Sequence, residues 1–409
     1  MTTSGRRPLV ATVEEIDPGD APTGAGWDFL FEQPGELLAS WGAAAVVRLP
    51  HGLADPRAAA LVTETLGAID VRGEVPGMGD VGPVAVGALP FDRDAPTAVV
   101  IPSLALRRAG GRTWLTWVSA DGVRPALPPT PPSPPAPDAF TLTPSMPHSA
   151  WCSLVDKALA EIDAGHLEKV VLAREVRVEA NRPIPRGAVI ERLRALYPSC
   201  TIFAAGGFVG ASPELLVRRD GETVASFPLA GTVARSGDAA ADDRLAATLL
   251  ASPKDRAEHA MVVDAIAAVL GPLAEELVVP PTPSLLRLRN VTHLATPVTG
   301  RLRAPAPSAL ALAQALHPTP AVSGLPVADA CRWLAAFEQL ERGRFAGPVG
   351  WVDRNGDGCY VVGIRSAELD GHRARLFAGV GIVAGSDPDE ELAETQLKLQ
   401  ALLAAVVRP

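Results

Sequence analysis

The chain has 409 residues, with 37 basic side chains against 46 acidic ones and a formal charge of −9. That balance argues against a general nucleic-acid binder, which needs a basic surface to release phosphate counterions. No apolar run reaches the length of a membrane span, and residues 1–15 lack the apolar core of a signal peptide. Forty-seven percent hydrophobic residues at this length can bury a large core. The four cysteines, Cys152, Cys200, Cys331 and Cys359, are widely spaced, with no C-x-x-C pair. They read as free thiols of a cytoplasmic protein. Only four of the basic residues are lysines: Lys157, Lys169, Lys254 and Lys398.

In chain order, residues 1–124 alternate short apolar runs with glycine- and proline-bearing turns, a strand-rich pattern with one helix near Asp55–Ala68. Residues 125–147 hold ten of the 40 prolines. Such a run favours polyproline II and reads as an exposed connector. Beyond it, helices are expected at Ser149–Ala164 and Arg186–Leu196, with a strand at Val170–Val178 between them. Further strands are expected at Thr201–Phe208, Glu214–Arg218, Thr223–Pro228, Gly347–Val352, Tyr360–Glu368 and Arg375–Val383. Strands in succession, joined by short turns and broken by a few long helices, indicate α+β with large antiparallel sheets.

Two helices share one opening grammar. The first runs from Ser252-Pro253-Lys254-Asp255 to about Leu270, and the second from Ser386-Asp387-Pro388-Asp389 to about Val407. Each has a capping residue, a proline in the first turn and then acids near the positive dipole end. Asp255 and Glu258 share a face of the first, and Glu391, Glu394 and Lys398 share a face of the second. Dipole complementation on solvated faces accounts for such acids taken singly. Two carboxylate faces brought together would instead need a cation between them, and oxygen ligands from one or two carboxylates per helix suit Mg²⁺.

From Leu167 to Leu403 the chain resembles the chorismate-utilising enzymes, which include isochorismate, salicylate, anthranilate and aminodeoxychorismate synthases. The resemblance rests on motifs in one order. They are Lys169-Val-Val-Leu-Ala-Arg174, Gly210-Ala-Ser-Pro-Glu214, Pro228-Leu-Ala-Gly231-Thr232 and Ser252-Pro-Lys-Asp-Arg-Ala-Glu258-His259. After these come His293-Leu-Ala-Thr296, His317-Pro-Thr-Pro-Ala, Arg344-Phe345-Ala-Gly347, Ile364-Arg365-Ser366, Gly379-Val-Gly381 and Glu391-x-x-Glu394-x-x-x-Lys398. It implies one α+β unit spanning residues 1–409, with two large packed antiparallel sheets and helices outside. The active site would lie between the sheets.

The resemblance also implies roles. In these enzymes a nucleophile adds at C2 of chorismate while the 4-hydroxyl leaves, which calls for a base, an acid and a cation. Lys169 matches the general base of members that use water. An amine serves only when neutral, and arginine could not replace it. Glu214 matches the general acid, which must hold its proton near pH 7. Glu258 and Glu394 match magnesium ligands, with Glu391 beside them acting through water. Arg365 and Lys398 match groups that bind substrate carboxylate, with the backbone at Gly379 and Gly381. Gly231, Thr232 and His293 match contacts to the ring. His293 is also readable as a satisfied structural histidine, and His317 carries no assignment.

Some positions depart from the pattern. Asp255 stands where some relatives have glutamate, and Phe345, in the substrate-binding region, stands where many have tyrosine. Cys359 replaces a frequent glutamate. The phenylalanine and the cysteine put affinity in doubt more than activity. Ala230 occupies the place of a nucleophilic lysine in aminodeoxychorismate synthases, which, together with Lys169, disfavours the ammonia-type reactions. The expected activity is therefore isochorismate synthesis, an isomerisation serving menaquinone or siderophore biosynthesis. Salicylate synthesis is the alternative, and a catalytically inactive binding homologue the reading from another class. Chorismate is the expected partner, with no nucleic acid or membrane, in a monomer or weak homodimer.

Overall fold

Two large β-sheets pack face to face in the computed structural model, which describes residues 8–22, 26–73, 81–126 and 135–407. Among the described residues one sheet has 13 strands, the second nine, and a small third sheet three. Pairing is antiparallel except where Val10–Glu15 meets Asp70–Arg72. Both large sheets take strands from either side of the proline-rich stretch. Phe29–Gln33 pairs with Thr201–Ala205 in the first, and Val84–Ala88 with Pro348–Asp353 in the second.

The sandwich follows from period-two alternation. Phe29, Phe31, Phe203 and Phe208 of the larger sheet pack against Val349, Trp351 and Val361 of the other, all buried. Helices cover the outer faces. Arg186–Leu196 and Pro388–Val407 lie on the larger sheet, while Ala58–Gly67, Pro253–Leu270 and Ala309–Leu316 lie against the nine-stranded one. The Lys169–Ala180 strand shows the alternation at single-residue resolution. Val170 and Leu172 face the helices His148–Asp163 and Val327–Phe337, whereas Lys169 and Val171 face a cleft on the opposite side.

Two of the places where the chain crosses between the large sheets bear on that cleft. Phe208–Ser212 belongs to the larger sheet and Leu215–Asp220 to the smaller, so Glu214 lies on the crossing. The second crossing corrects the single strand expected over Tyr360–Glu368. The chain instead forms Gly358–Val362 in the nine-stranded sheet and Ser366–Asp370 in the larger one. Arg365 breaks the run, with a left-handed φ of 51° that a continuing strand could not contain. The crossings hold each other: Ala211 N donates to Arg365 O at 3.1 Å, and Val362 N to Glu214 O at 3.1 Å.

The proline-rich stretch also differs from expectation at its C-terminal end. Phe140–Pro144 is an edge strand paired antiparallel with Val176–Ala180, an edge being where a proline is tolerated. Residues 127–134 of the expected connector lie outside the described residues. Among the described residues, no helix is long and apolar enough to cross a membrane, and all four cysteines are free thiols.

Candidate active site

Beside the two crossings, a cleft of about 950 Å³, including its open mouth, is lined by residues from several parts of the fold. The Lys169 strand supplies Lys169 and Val171. Its antiparallel neighbour, Arg373–Ile382, supplies Phe377, Gly379 and Gly381, which share a face by period-two alternation. The crossings supply Glu214 and Arg365. The helices Pro253–Leu270 and Pro388–Val407 supply Asp255, Glu258, Glu391, Glu394 and Lys398. Gly231, Thr232, His293 and Phe345 complete the wall, so every residue singled out in the sequence as a site candidate lines this one cleft.

Lys169 is 1% exposed, and its Nζ lies 2.8 Å from Glu258 Oε1. Gly381, paired with Val171, leaves room for both groups. A Cβ there would sit 2.5 Å from Glu258 Oε1 and 2.9 Å from Lys169 Cε. Gly231 has a left-handed φ of 73° and packs against Asp255, where a Cβ would come within 3.2 Å of the aspartate Cβ. Gly379 has no such neighbour, and its carbonyl accepts from Lys398 Nζ at 2.9 Å. Lys398 also pairs with Glu394, one helical turn away, at 2.7 Å.

Glu214 is 3% exposed. Burial pushes its carboxyl up to about 8, against the opposing pull of Lys169, Arg365 and Lys398. At pH 7 it is therefore protonated, the state an acid requires. His293 is buried and held well below its ordinary value, first by burial and then by Arg365 and Lys398. Its neutral ring accepts from Arg365 Nη2 at Nε2 (3.0 Å). That leaves the Nδ1 proton for Gly231 O at 3.3 Å, beside Thr232 Oγ1 at 3.1 Å. His293 thus satisfies both of its readings, lining the cleft while orienting Arg365. The Arg365 Nε is buried without a hydrogen-bond partner among the described residues.

Three carboxylates from two helices, Glu258, Glu391 and Glu394, face this space. Burial pushes Glu391 up to about 7. Glu394 and Glu258 push in the same direction, while Ser386 and Lys254 oppose them. An oxygen-only donor set crowded by like charge fits a hard divalent cation such as Mg²⁺. In the structure Glu258 turns to Lys169 and Glu394 to Lys398, so lysines share the role of countercharge.

Several expectations shift. Lys254, at the start of the first helix, reaches Glu391 of the second at 3.8 Å. The second helix is capped by Asp387, which accepts from Asp389 N and Glu390 N, while Ser386 Oγ accepts from Val383 N. Phe345 stacks on Phe377 with centroids 5.1 Å apart, making an apolar wall where a phenol would have offered a donor. Cys359 lies outside the cleft, buried between the two large sheets, so it does not touch affinity directly. His317 is likewise outside; it is neutral, its Nε2 donating to Phe91 O at 2.9 Å.

The buried pair Arg342–Glu338 was not anticipated. Between the short Gly324–Leu325 strand and the Phe140–Pro144 strand, the Lys169 strand has open edge positions. Arg342 Nη2 donates to Val171 O at 2.7 Å and Glu338 Oε1 accepts from Ala173 N at 2.7 Å. The two side chains replace a neighbouring strand there and join each other at 2.6 Å. Their i, i+4 spacing suits a helical pair, but the helix ends at Phe337 and nothing local marks them as burying their charges.

A buried lysine, a protonated carboxyl and a converging acidic group in one cleft define an enzyme that performs acid–base chemistry on a small anionic substrate. The profile of the chorismate binding enzymes matches residues 125–407, and the chain belongs to that family. A Mycobacterium tuberculosis relative bearing the MenF name is 41% identical over 337 residues, covering 79% of this chain and 86% of its own. The isochorismate synthase DhbC of Bacillus subtilis is 38% identical over 339 residues, 80% of this chain and 82% of its own. The solved menaquinone-specific isochorismate synthase MenF of Escherichia coli superposes with a TM-score of 0.81 at 27% identity, covering 97% of this chain and 94% of that one.

Proposed function

We propose that the protein is an isochorismate synthase, an isomerase that moves the ring hydroxyl of chorismate from C4 to C2. The observation that carries this reading is the pairing, in one cleft, of the buried amine of Lys169 with a Glu214 carboxyl that burial keeps protonated. Lys169 Nζ takes a proton from water as the oxygen bonds to C2. The ring double bond shifts and the C4–O bond breaks as Glu214 delivers its proton to the leaving hydroxyl, so that water is both consumed and released. Positioned proton transfer of this kind contributes about 10²–10⁴-fold to rate.

Arg365 and Lys398 are placed to bind carboxylate, and Phe345 and Phe377 form an apolar wall for the ring. Glu258 and Glu394, with Glu391 beside them, would hold Mg²⁺, which when bound neutralises substrate carboxylate charge. The names of the relatives support this reading over the ammonia-type reactions, as does Ala230 in the cleft wall.

The test is to incubate purified protein with chorismate, with and without Mg²⁺, and resolve the products chromatographically. Isochorismate that forms only with Mg²⁺ is expected. Salicylate plus pyruvate as the main product would overturn the assignment in favour of a salicylate synthase, and no turnover would indicate an inactive homologue. Lys169→Arg keeps the charge and removes the titratable amine. It should lose about 10²-fold or more in kcat, and near-normal turnover would refute the base.

A further inference from the structure

We propose that His148, Cys152 and Asp389 form a second cation site, distinct from the acidic cleft, that takes a borderline transition metal of the zinc class. His148 and Cys152 are one turn apart on the helix His148–Asp163 and so share a face. Asp389 comes from the first turn of Pro388–Val407. One imidazole nitrogen, one thiol sulfur and one carboxylate oxygen lie within 4.8 Å of one another. Among the described residues this is the one group of three such donors drawn so close.

The junction is rigid where the donors meet. Trp151, between His148 and Cys152 in sequence, is fully buried, and its Nε1 donates to Pro388 O at 3.1 Å. That bond fixes the start of one helix against the other, so little ordering is left for a metal to impose. His148 and Asp389 are 60% and 75% exposed at the side chain, leaving the donors reachable from solvent. Asp156 and Asp387 add negative charge around the thiol.

The donor chemistry selects the metal. A thiolate with an imidazole favours zinc-class ions, and the oxygen-only cleft favours Mg²⁺. With zinc–ligand lengths of about 2.0–2.3 Å, tetrahedral donors stand roughly 3.5 Å apart. The exposed ring and carboxylate reach that by small rotations from the present 2.7 Å His148 Nε2–Asp389 Oδ1 hydrogen bond. Three protein ligands leave a fourth position for water. Binding displaces the Cys152 Sγ proton to solvent, and the His148 ring keeps one proton on the nitrogen that does not bind the metal.

The test uses full-length protein stripped with chelator and then held in excess Mg²⁺, with Co²⁺ as the spectroscopic probe and Zn²⁺ as competitor. One equivalent of Co²⁺ should give the charge-transfer band of a cobalt–thiolate bond, and Zn²⁺ should bleach it. Cys152→Ser should abolish the band while leaving Mg²⁺-supported chorismate turnover unchanged in the absence of zinc. His148→Ala should weaken Zn²⁺ binding by about tenfold or more. Absence of the band, its persistence in Cys152→Ser, or unchanged Zn²⁺ affinity in His148→Ala would overturn the site.

Discussion

Glu214 owes its proton to burial: three cations, Lys169, Arg365 and Lys398, pull its carboxyl down, and burial still pushes it up to about 8. Because the acid must be protonated to act, activity should be present below that value and lost as pH rises through it. A plot of kcat/KM against pH is expected to show a descending limb near 8. Glu214→Gln should remove the limb along with about 10²–10⁴-fold of the rate, and a limb that persists in this variant would assign it elsewhere. Gly381 gives a purely steric prediction. Its Cβ would meet Glu258 Oε1 at 2.5 Å, so Gly381→Ala should displace Glu258 and Lys169 and lower kcat/KM by about 10²-fold. The far-ultraviolet circular dichroism should stay unchanged, separating displacement from unfolding.

At the scale of elements, the Lys169 strand is held on one side by ten register pairs to Arg373–Ile382. On the other side, two charged side chains stand in for a strand. Arg342 and Glu338 spend their hydrogen-bonding capacity on Val171 O, Val322 O, Ala173 N and each other. Breaking a buried pair leaves an uncompensated charge. Glu338→Gln keeps an acceptor for Ala173 N but strands the guanidinium, and should cost about 3–5 kcal/mol in the denaturant midpoint. A loss below about 1 kcal/mol, the level of a surface pair, would show that Arg342 finds water instead. The starts of Pro253–Leu270 and Pro388–Val407 were legible because a proline, a polar residue before it and acids after it mark them. The break at Arg365 was not, because residues 360–368 alternate as one strand would and only the parting of two sheets requires the turn.

For the whole molecule, the proline-rich stretch divides the sequence but not the sheets. Strands from residues 10–119 are hydrogen-bonded into both large sheets alongside strands from residues 169–382. We infer that residues 148–409 do not form an independent unit, although among the described residues the cleft is lined by residues from 169 onward. The full chain should unfold in one cooperative transition by calorimetry, and a fragment starting at residue 148 should lack a native-like one. Two separated transitions in the full chain would overturn this. In the 13-stranded sheet, loss of the N-terminal strands would expose the Thr201–Ala205 edge, which its partner Phe29–Gln33 now covers.

By itself, the sequence determined which residue types could do the chemistry. Acids on one face of each of two helices were readable from spacing, while the amine, the glutamate at a turn and the glycines two apart were singled out by the resemblance to a family. Local periodicity records which face a residue takes, and that information survives without a fold. Only the tertiary structure decided what state those residues adopt. Glu214 is neutral because of the atoms packed around it, His293 is neutral because of burial and Arg365, and Lys254 meets Glu391 because two helices far apart in sequence converge. Burial and countercharge are set by neighbours distant along the chain. The scarce lysines show the division: their number is plain in the sequence, but placing Lys169 against Glu258 and Lys398 against Glu394 took the fold.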